Sequence, residues 1–390
     1  MIEEARRLSA VKEYYFSSKL REVRGLMAEG RPVINMGIGS PDLAPSQAVL
    51  ESLTASVREA GAHQYQSYQG LPELRQTISE FYNRKFGVSL DPDSEILPLM
   101  GSKEGIMHIS MAFLNPGDKV LIPDPGYPTY AAVTRLVGAE PIHYRLSGES
   151  GWFPDLEALS QSDLSGVKIM WASYPHMPTG AKASREQLSE LVAFAHRHQI
   201  LLVNDNPYSF VLAREPISIL DIPEASGHVL ELNSLSKTFN MAGWRVGMAL
   251  GDKRLIAAVL KVKSNMDSGM FYGIQKGAIA ALKSDPEWFK GLDAIYSRRR
   301  AAVHELADLL GCSYDKEAVG MFVWARLPKG SPDAETYIDG LLYNHNIFVA
   351  PGTIFGSRGA GYIRFSLCVP EEKIREALGR IQTAVTKKEV

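Results

Sequence analysis

Seven short apolar runs alternate with amphipathic segments through the middle of the chain. The runs have strand length and are rich in β-branched residues, and they lie near residues 95–100, 119–123, 139–144, 167–172, 200–204, 228–232 and 246–250. Segments with apolar positions at helical spacing separate several of them, near 103–114, 127–137 and 184–198. Repetition of strand, helix and strand is typical of a largely parallel sheet with helices on both faces. The pattern therefore predicts an α/β fold around a mostly parallel seven-stranded sheet.

The segments that flank this sheet have a mixed pattern. Before it, helical spacing covers 8–29, 46–60 and 71–86, and a short strand runs from Val33 into a glycine-containing loop by Ser40. After it, helix and strand patterns follow at 253–284, 286–310, 319–326, 333–344, 346–350, 361–367 and 371–387. We therefore expect an N-terminal arm and part of a small domain in residues 1–45, a large domain in 46–285 and the remainder of a small α+β domain in 286–390.

Length and composition narrow the class of protein. A chain of 390 residues is too long for one ordinary core and suits two domains. Hydrophobic residues at 45%, charged residues at 22% and a formal net charge of -2 are those of a globular protein, and they give no reason to expect nucleic acid or a membrane as a partner. Two cysteines, Cys312 and Cys368, are too few for a disulfide framework, and early acidic residues argue against a secretory leader. We expect a cytoplasmic protein, and no metal site is predicted.

One stretch, SLSKTFNMAGWRVG from Ser234 to Gly247, concentrates residues that carry chemistry. An apolar run from His228 to Leu232 leads into it as a buried strand, and Lys237 follows. Burial lowers the pKa of an ammonium group and leaves an amine that is able to form a Schiff base. Ser234 and Arg245 offer a hydroxyl and a fixed positive charge, the groups that a phosphate needs. The combination suggests a lysine bound to pyridoxal phosphate (PLP); a solvated loop lysine is the alternative.

Two further strand ends carry candidate groups. Small residues around Gly101, Ser102 and Lys103, between a strand and a helix, let backbone N–H groups approach an anion, and the helix dipole favours one. Plain capping of the helix by Ser102 is the alternative. Asp205 follows an apolar strand at the edge where α/β proteins bind ligands, and it is able to keep a pyridine nitrogen protonated. Tyr208 is then within reach of the ring hydroxyl, whereas a capping aspartate beside a packed tyrosine is the alternative.

Three other positions each have two interpretations. Tyr127, in the turn DPGYPTY, and Tyr65 are able to stack on a flat cofactor or to fill the core. Arg364 interrupts an apolar strand near the C-terminus, and its planar fork matches a carboxylate. Pairing of Arg364 with an internal acidic side chain remains equally open.

The motifs GIGSPDL, GSKEGI, DPGYPTY, NDNPYSF and SLSKTFNMAGWR together resemble those of the class I/II aminotransferases, PLP-dependent transferases of fold type I. The resemblance covers about residue 30 to 385. Within this family, the motifs are similar to those of the branch that contains LL-diaminopimelate and aspartate aminotransferases. It implies a large PLP-binding domain, with the seven-stranded sheet between helices, and a smaller α+β domain from both chain ends. It also implies a homodimer with shared active sites.

Matched position by position, the resemblance implies a role for each candidate. Lys237 is implied as the Schiff-base lysine and proton shuttle, Asp205 as the partner of the pyridine nitrogen, and Tyr208 as a contact of the ring oxygen. The other implied cofactor contacts are Gly101, Ser102, Lys103, the stacking Tyr127, Ser234, Arg245 and, across a subunit interface, Tyr65. Arg364 is implied to hold the substrate α-carboxylate, helped by the backbone at Ile38 and Gly39.

One position departs from the family. The family commonly has Asn-Pro-Thr-Gly where this chain has Met177-Pro178-Thr179-Gly180. That asparagine donates a hydrogen bond to the ring oxygen of the cofactor, and a thioether cannot donate one. Met177 therefore occupies a cofactor-binding position without its donor, and the adjacent His176 is the candidate for compensation.

The resemblance implies transfer of the amino group of an L-amino acid to a 2-oxo acid such as 2-oxoglutarate, in a ping-pong mechanism through aldimine and ketimine forms. The alternative on the same fold is a PLP-dependent lyase, such as a cysteine–sulfur β-lyase. A lyase releases ammonia and needs no 2-oxo acid, so the two activities are separable by assay.

Overall fold

The structure, a computed structural model, describes residues 2–10 and 15–388. Its helices are α1 Tyr15–Ala28, α2 Gln47–Ser56, α3 Pro72–Phe86, α4 Ser102–Phe113, α5 Pro128–Leu136, α6 Leu156–Ser160, α7 Arg185–Arg197, α8 Leu235–Thr238, α9 Lys253–Lys263, α10 Tyr272–Leu282, α11 Pro286–Leu309, α12 Ala334–His345 and α13 Glu371–Lys388. Its strands are β1 Ile34–Asn35, β2 Ile96–Leu99, β3 Lys119–Asp124, β4 Glu140–Arg145, β5 Val167–Ala172, β6 Leu201–Asp205, β7 Val229–Ser234, β8 Gly247–Gly251, β9 Ser313–Tyr314, β10 Phe322–Arg326, β11 Ile347–Phe348, β12 Ala350–Pro351 and β13 Tyr362–Ser366.

A seven-stranded sheet at the centre of the fold confirms the predicted α/β class. The seven apolar runs form its strands, in the order β2-β8-β7-β6-β5-β3-β4. β3 to β7 run parallel, and β8 is antiparallel to both of its neighbours. Every residue of β6 and β7 is buried, because helices cover both faces. β6 therefore begins as the apolar run 201–203, whereas the apolar run of β7 includes Glu231, which is buried and accepts hydrogen bonds from Tyr82 and Ser218.

Neighbouring residues of one strand enter different hydrophobic cores. Leu202 of β6 packs in a core with Leu191 of α7, whereas Val203 packs in another core with Ile109 of α4. Helix α7 begins with a capping box in which Ser184 and Gln187 satisfy each other's backbone N–H groups. The sequence therefore places helices on both sides of the sheet, as predicted.

The prediction of one long helix over 253–284 is wrong, because the chain turns between α9 and α10. The side chain of Asp267 accepts a hydrogen bond from the backbone N–H of Gly269 at 2.7 Å. Gly269 has a φ of 88°, and a side chain there would overlap the backbone of Gln66. The break therefore depends on a local side-chain hydrogen bond and on close packing, neither of which changes the helical spacing of apolar residues.

The chain ends form two small sheets. One has the order β12-β13-β10-β9 and is antiparallel, and the other pairs β1 with β11 in parallel. The strands predicted over 33–40 and 319–326 are shorter than predicted, and the one over 346–350 is divided between the two sheets. The helix predicted over 8–29 is present as α1, and residues 11–14 lie outside the described residues.

One hydrophobic core joins the two ends of the chain. Val33 and Met36 are buried in it together with Phe348, Phe365 and Ile374. This packing agrees with a small α+β unit built from both ends. The domain boundaries at residues 45/46 and 285/286 stay a prediction.

Two other features bear on the environment of the protein. Across residues 2–10 and 15–388, no helix combines the length and the apolar character that crossing a lipid bilayer requires. Cys312 and Cys368 are both buried free thiols.

Candidate active site

A cavity opens where the parallel strands of the central sheet end. The loops after β5, β6 and β7 carry polar side chains into one space, as expected for this edge of an α/β sheet. The cavity has a volume of about 530 Å³, which suits a small-molecule site. It is lined by Gly39, Ser102, Lys103, Tyr127, Tyr130, Ser173, Met177, Asp205, Pro207, Tyr208, Ser234, Ser236, Lys237, Ala242, Arg245, Phe322, Phe355 and Arg364. Most of the residues predicted from the sequence are thus brought together.

Lys237 lines this cavity from a one-turn helix. β7 ends at Ser234, whose side chain caps α8, and the lysine is the third residue of that helix. The Lys237 amine donates a hydrogen bond to the backbone carbonyl of Gly39. Burial lowers the pKa of this amine, and the guanidinium groups of Arg364 and Arg245 lower it further by repulsion. A lysine in this setting is prepared to act as a neutral nucleophile.

Asp205, the last residue of β6, presents a buried carboxyl group to the same cavity. Its Oδ2 accepts a hydrogen bond from the Tyr130 hydroxyl at 2.9 Å, whereas its buried Oδ1 has no hydrogen-bond partner among the described residues. Burial raises the pKa of this carboxyl to about 6; the Tyr130 hydrogen bond opposes the rise and the nearby Glu231 adds to it. Tyr130 is fixed by stacking on Trp171, with 5.0 Å between the ring centroids. An N–H or cationic group beside Oδ1 would satisfy the carboxyl.

The junction of β2 and α4 forms a cationic corner with Arg245. Gly101 precedes α4 with a φ of 91°, and a Cβ added there would overlap the Arg245 guanidinium. Arg245 donates a hydrogen bond to the carbonyl of Met100 at 3.5 Å. Ser102 and Lys103 occupy the first turn of α4 and line the cavity. A helix N-terminus beside an arginine and a lysine offers the donors and the charge that a phosphate group needs.

Arg364, on β13, lies between two aromatic rings. Its guanidinium carbon is 4.0 Å from the ring centroid of Phe322 and 4.6 Å from that of Phe355. One guanidinium nitrogen donates to the carbonyl of Gly37 at 2.8 Å, and the other lies 3.7 Å from the sulfur of Met177. The planar group is therefore held in one orientation at the cavity wall.

His176 does not line the cavity, although its neighbour Met177 does. The His176 ring is buried, and its Nδ1 lies 2.8 Å from the hydroxyl oxygen of Thr179. Burial lowers the pKa of the imidazole to about 3, so the ring is neutral. The ring is thus engaged with Thr179, and the position that the family fills with a donor presents the thioether of Met177 to the cavity.

The remaining predicted residues divide into two groups. Tyr127 and Tyr208 line the cavity, where Tyr127 packs edge-on against Tyr130 with 5.6 Å between the ring centroids. Outside the lining, Gly101 lies behind Arg245, Ile38 is 37% exposed and Tyr65 is 90% exposed. Tyr65 is therefore absent from this chain's own cavity, and its role across an interface stays a prediction.

The cavity also contains residues that the sequence did not single out. Tyr130 follows Tyr127 by three positions in the motif DPGYPTY, so the two lie about one helical turn apart, and that spacing is the signal for it. Ser173 donates a hydrogen bond to the backbone carbonyl of Asp205 at 3.0 Å. Phe322 and Phe355, the two rings beside Arg364, come from segments that are distant in the chain, and no motif near either of them predicts this position.

These residues fit the PLP that the resemblance implies. The unpartnered, buried Oδ1 of Asp205 suits a protonated pyridine nitrogen. The Lys237 amine, with its lowered pKa, suits the aldehyde of the cofactor. The cationic corner at Arg245 suits the phosphate, and the rings of Tyr127 and Tyr130 supply flat apolar surface.

Comparison of the whole chain with known proteins points to the same chemistry. Residues 31–381 match the family model described as aminotransferase class I and II. The chain is 38% identical over 379 residues to LL-diaminopimelate aminotransferase from Dehalococcoides mccartyi, with 97% of each chain covered. It is 36% identical over 384 residues to the enzyme of that name from Aquifex aeolicus, with 98% of this chain and 99% of the relative covered.

Solved structures agree with the sequence relatives. The substrate-bound BacF structure from Bacillus subtilis has a TM-score of 0.93 at 34% identity, with 98% of both chains covered. A single mutant of Thermus thermophilus aspartate aminotransferase has a TM-score of 0.91 at 28% identity, with 97% of this chain and 99% of the other covered. The family match, the relatives and the fold confirm the assignment made from the motifs. This chain belongs to the class I and II aminotransferases and is a PLP-dependent enzyme of fold type I.

Proposed function

We propose that this aminotransferase moves the amino group of an L-amino acid to 2-oxoglutarate by a ping-pong mechanism. The observation that supports the proposal is the presence in one cavity of Lys237, whose amine pKa is lowered by burial, and Asp205, whose buried Oδ1 needs a partner. Bound PLP supplies an electron sink for the charge left when a bond at the substrate α-carbon breaks. The residues of the chain decide which bond breaks and where the proton goes.

Lys237 is proposed as the proton shuttle. Its amine removes the proton from the substrate α-carbon and delivers it to the C4′ carbon of the cofactor, because one amine held beside both atoms suits both transfers. With PLP bound, Asp205 would keep the pyridine nitrogen protonated, Tyr208 would contact the ring oxygen near Met177, and Tyr127 would stack on the ring.

The cationic corner is proposed as the phosphate site. Backbone N–H groups at the start of α4 and the guanidinium of Arg245 provide charge-assisted hydrogen bonds. The residues assigned to this role are Gly101, Ser102, Lys103, Ser234 and Arg245.

Arg364 is proposed to bind the substrate α-carboxylate. Phe322 and Phe355 fix the plane of its guanidinium, so a carboxylate meets the fork in one orientation. The Gly37 carbonyl accepts a hydrogen bond from this arginine. Ile38 and Gly39 follow Gly37 directly, and we propose that their backbone helps to bind the same carboxylate.

A homodimer with shared active sites completes the proposal. Tyr65, Tyr68, Met266 and Phe271 are large apolar residues that are 90%, 46%, 59% and 40% exposed. They belong to two loops that meet where Gly269 packs on Gln66, and exposed apolar residues grouped in this way are typical of an interface. We propose that Tyr65 reaches the cofactor phosphate of the partner subunit.

The cellular location and the domain limits are also part of the proposal. The two buried thiols and the ordinary charge balance suit a reducing cytoplasm. The core shared by residues near both chain ends suits domain limits at 45/46 and 285/286.

A donor panel tests the proposed reaction. The PLP form of the enzyme is mixed with single amino acids, beginning with LL-diaminopimelate because relatives carry that name, and conversion to the pyridoxamine form is followed by absorbance. We expect one group of L-amino acids to convert the cofactor, and 2-oxoglutarate to restore it with formation of glutamate. Release of ammonia without any need for a 2-oxo acid would replace this proposal with a lyase.

A further inference from the structure

A partly buried cluster of ionisable residues lies beside the cationic corner and outside the cavity lining. Glu104 and His108 are one helical turn apart on α4, with 3.1 Å between the carboxylate Oε1 and the ring Nε2. One ligand atom of each lies within 4.8 Å of a carboxylate oxygen of Asp267, which precedes α10. The ammonium of Lys263 lies 2.9 and 2.8 Å from the two oxygens of Asp267. His108 is 2% exposed and Lys263 1%, whereas the side chains of Asp267 and Glu104 are 8% and 16% exposed, so the two basic members are shielded from water and the carboxylates are partly shielded.

One end of this cluster holds the loop proposed to bind phosphate. The Oε2 atom of Glu104 accepts a hydrogen bond from the backbone N–H of Met100 at 2.6 Å. Met100 directly precedes Gly101, and its own carbonyl accepts from Arg245. The orientation of the Glu104 carboxylate therefore determines where the Met100 peptide lies, and with it the first N–H groups of α4.

The other end holds the loop that carries the proposed interface. Asp267 accepts a hydrogen bond from the N–H of Gly269, and Gly269 packs on the backbone of Gln66, next to Tyr65. The cluster thus connects the two loops through side chains that make no contact with the cavity.

A histidine between two carboxylates is also a set of ligands that divalent metals use. Here, however, Lys263 already binds both oxygens of Asp267. A divalent ion between Glu104 and Asp267 would lie close to this buried ammonium, and the repulsion of like charges disfavours it. The two carboxylates exceed the one ammonium by one negative charge, and the ring Nε2 of His108 lies 3.1 Å from Glu104, close enough for an electrostatic contact with that carboxylate. Neither ring nitrogen has a hydrogen-bond partner among the described residues, so this contact is the interaction that the ring supplies.

We propose that His108 is a positioning residue for the cofactor phosphate. Its ring Nε2 holds Glu104 in the orientation that fixes the Met100 peptide, and the ion pair of Lys263 with Asp267 lies beside the ring. The inference rests on the proposed phosphate role of the loop. Loss of the ring removes the side-chain partner of the half-buried Glu104 carboxylate, so Glu104 reorients and the N–H groups at the start of α4 no longer converge on the phosphate.

Affinity for PLP compared with affinity for pyridoxal, which lacks the phosphate, is the measurement that tests this. Glutamine at position 108 is long enough to donate to Glu104, whereas asparagine carries the same amide one methylene short. In the dimeric enzyme we expect His108→Leu and His108→Asn to weaken PLP binding about tenfold or more, and His108→Gln to retain most of it. Pyridoxal binding is expected to change little in all three. The rate at which PLP dissociates from each diluted holoenzyme gives a kinetic comparison of the same variants.

A remote histidine and a direct phosphate contact serve as controls. His304 lies on α11 with its ring stacked on Tyr314, and His304→Leu should leave the ratio of the two affinities unchanged. Arg245→Leu should lower the ratio of PLP affinity to pyridoxal affinity. If it does not, the phosphate site itself is misassigned, independently of the result for His108. Equal weakening of PLP and pyridoxal in His108→Asn, or no weakening, overturns the role of His108. Loss of PLP from the native enzyme on treatment with EDTA, reversed by Mn²⁺, overturns it in favour of a metal site.

Discussion

Replacement of Asp205 by asparagine tests the electrostatics of the cavity. Burial raises the pKa of this carboxyl from 3.8 to about 6 in the folded protein. Between these two pH values the folded, cofactor-free protein keeps a proton that the unfolded chain has lost, so the free energy of unfolding falls as the pH rises. A difference of about 2 pKa units corresponds to about 3 kcal/mol of destabilisation above pH ~6, at about 1.4 kcal/mol per unit.

Asparagine has nearly the same shape and no charge to bury. Its side-chain oxygen still accepts a hydrogen bond from Tyr130. The cofactor-free Asp205→Asn variant should therefore be more stable than the native protein at pH 8. The difference in free energy of unfolding between the variant and the native protein should be about 1.4 kcal/mol larger at pH 8 than at pH 5. Part of the destabilisation of the native protein by Asp205 is already present at pH 5.

Equilibrium urea unfolding of the two cofactor-free proteins, followed by tryptophan fluorescence and circular dichroism, measures this difference. Coincidence of the two signals establishes that a single free energy is meaningful. The exposed Glu190 on α7 gives a control, because Glu190→Gln should show no comparable dependence on pH. A variant that is less stable than the native protein at pH 8, or a difference that does not change with pH, would contradict the buried-carboxylate argument.

Three further substitutions test assigned roles. Lys237→Ala should lose the visible absorption of the Schiff base and all turnover while it remains folded; a covalent cofactor adduct found elsewhere by borohydride reduction and peptide mapping would refute the assignment. Arg364→Lys should raise the KM for the amino acid about tenfold or more while PLP stays bound, because lysine keeps the charge and loses the bidentate fork; a loss of stability with unchanged kinetics would instead favour a structural role. Met177→Asn supplies a donor to the ring oxygen and should lower the pKa of the internal Schiff base, measured by spectral titration, whereas an unchanged or higher pKa would show that position 177 does not act on that oxygen.

The central sheet and the principal site could be predicted from sequence for one physical reason. Strands that are covered on both faces appear as continuous apolar runs, and parallel strands end at one edge of the sheet. Asp205 ends β6, and Lys237 follows the end of β7, so residues that are distant in sequence converge there. The motifs then indicated which of the polar residues at this edge carry chemistry.

Features that depend on contacts between distant segments could not be predicted in this way. The break between α9 and α10 depends on the packing of Gly269 on Gln66, and the stacking around Arg364 depends on Phe322 and Phe355. Division of the segment 346–350 between two sheets likewise depends on which strand lies beside each half. None of these contacts alters the local spacing of apolar residues.

The charge balance of the cavity explains how one site is able to serve both half-reactions of the proposed cycle. Apart from the Lys237 amine, whose pKa is lowered by burial, its lining contains the basic residues Lys103, Arg245 and Arg364 and a single acidic residue, Asp205. A phosphate at the proposed site beside Arg245 would offset part of this excess and leave Arg364 as the fixed cation proposed for the substrate. The amino acid and the 2-oxo acid of the proposed reaction both carry a carboxylate on the carbon that reacts, so the role proposed for Arg364 would place that carbon in the same position in each direction. A second binding site for the acceptor is therefore unnecessary, and discrimination between donors must come from groups that contact the rest of the side chain.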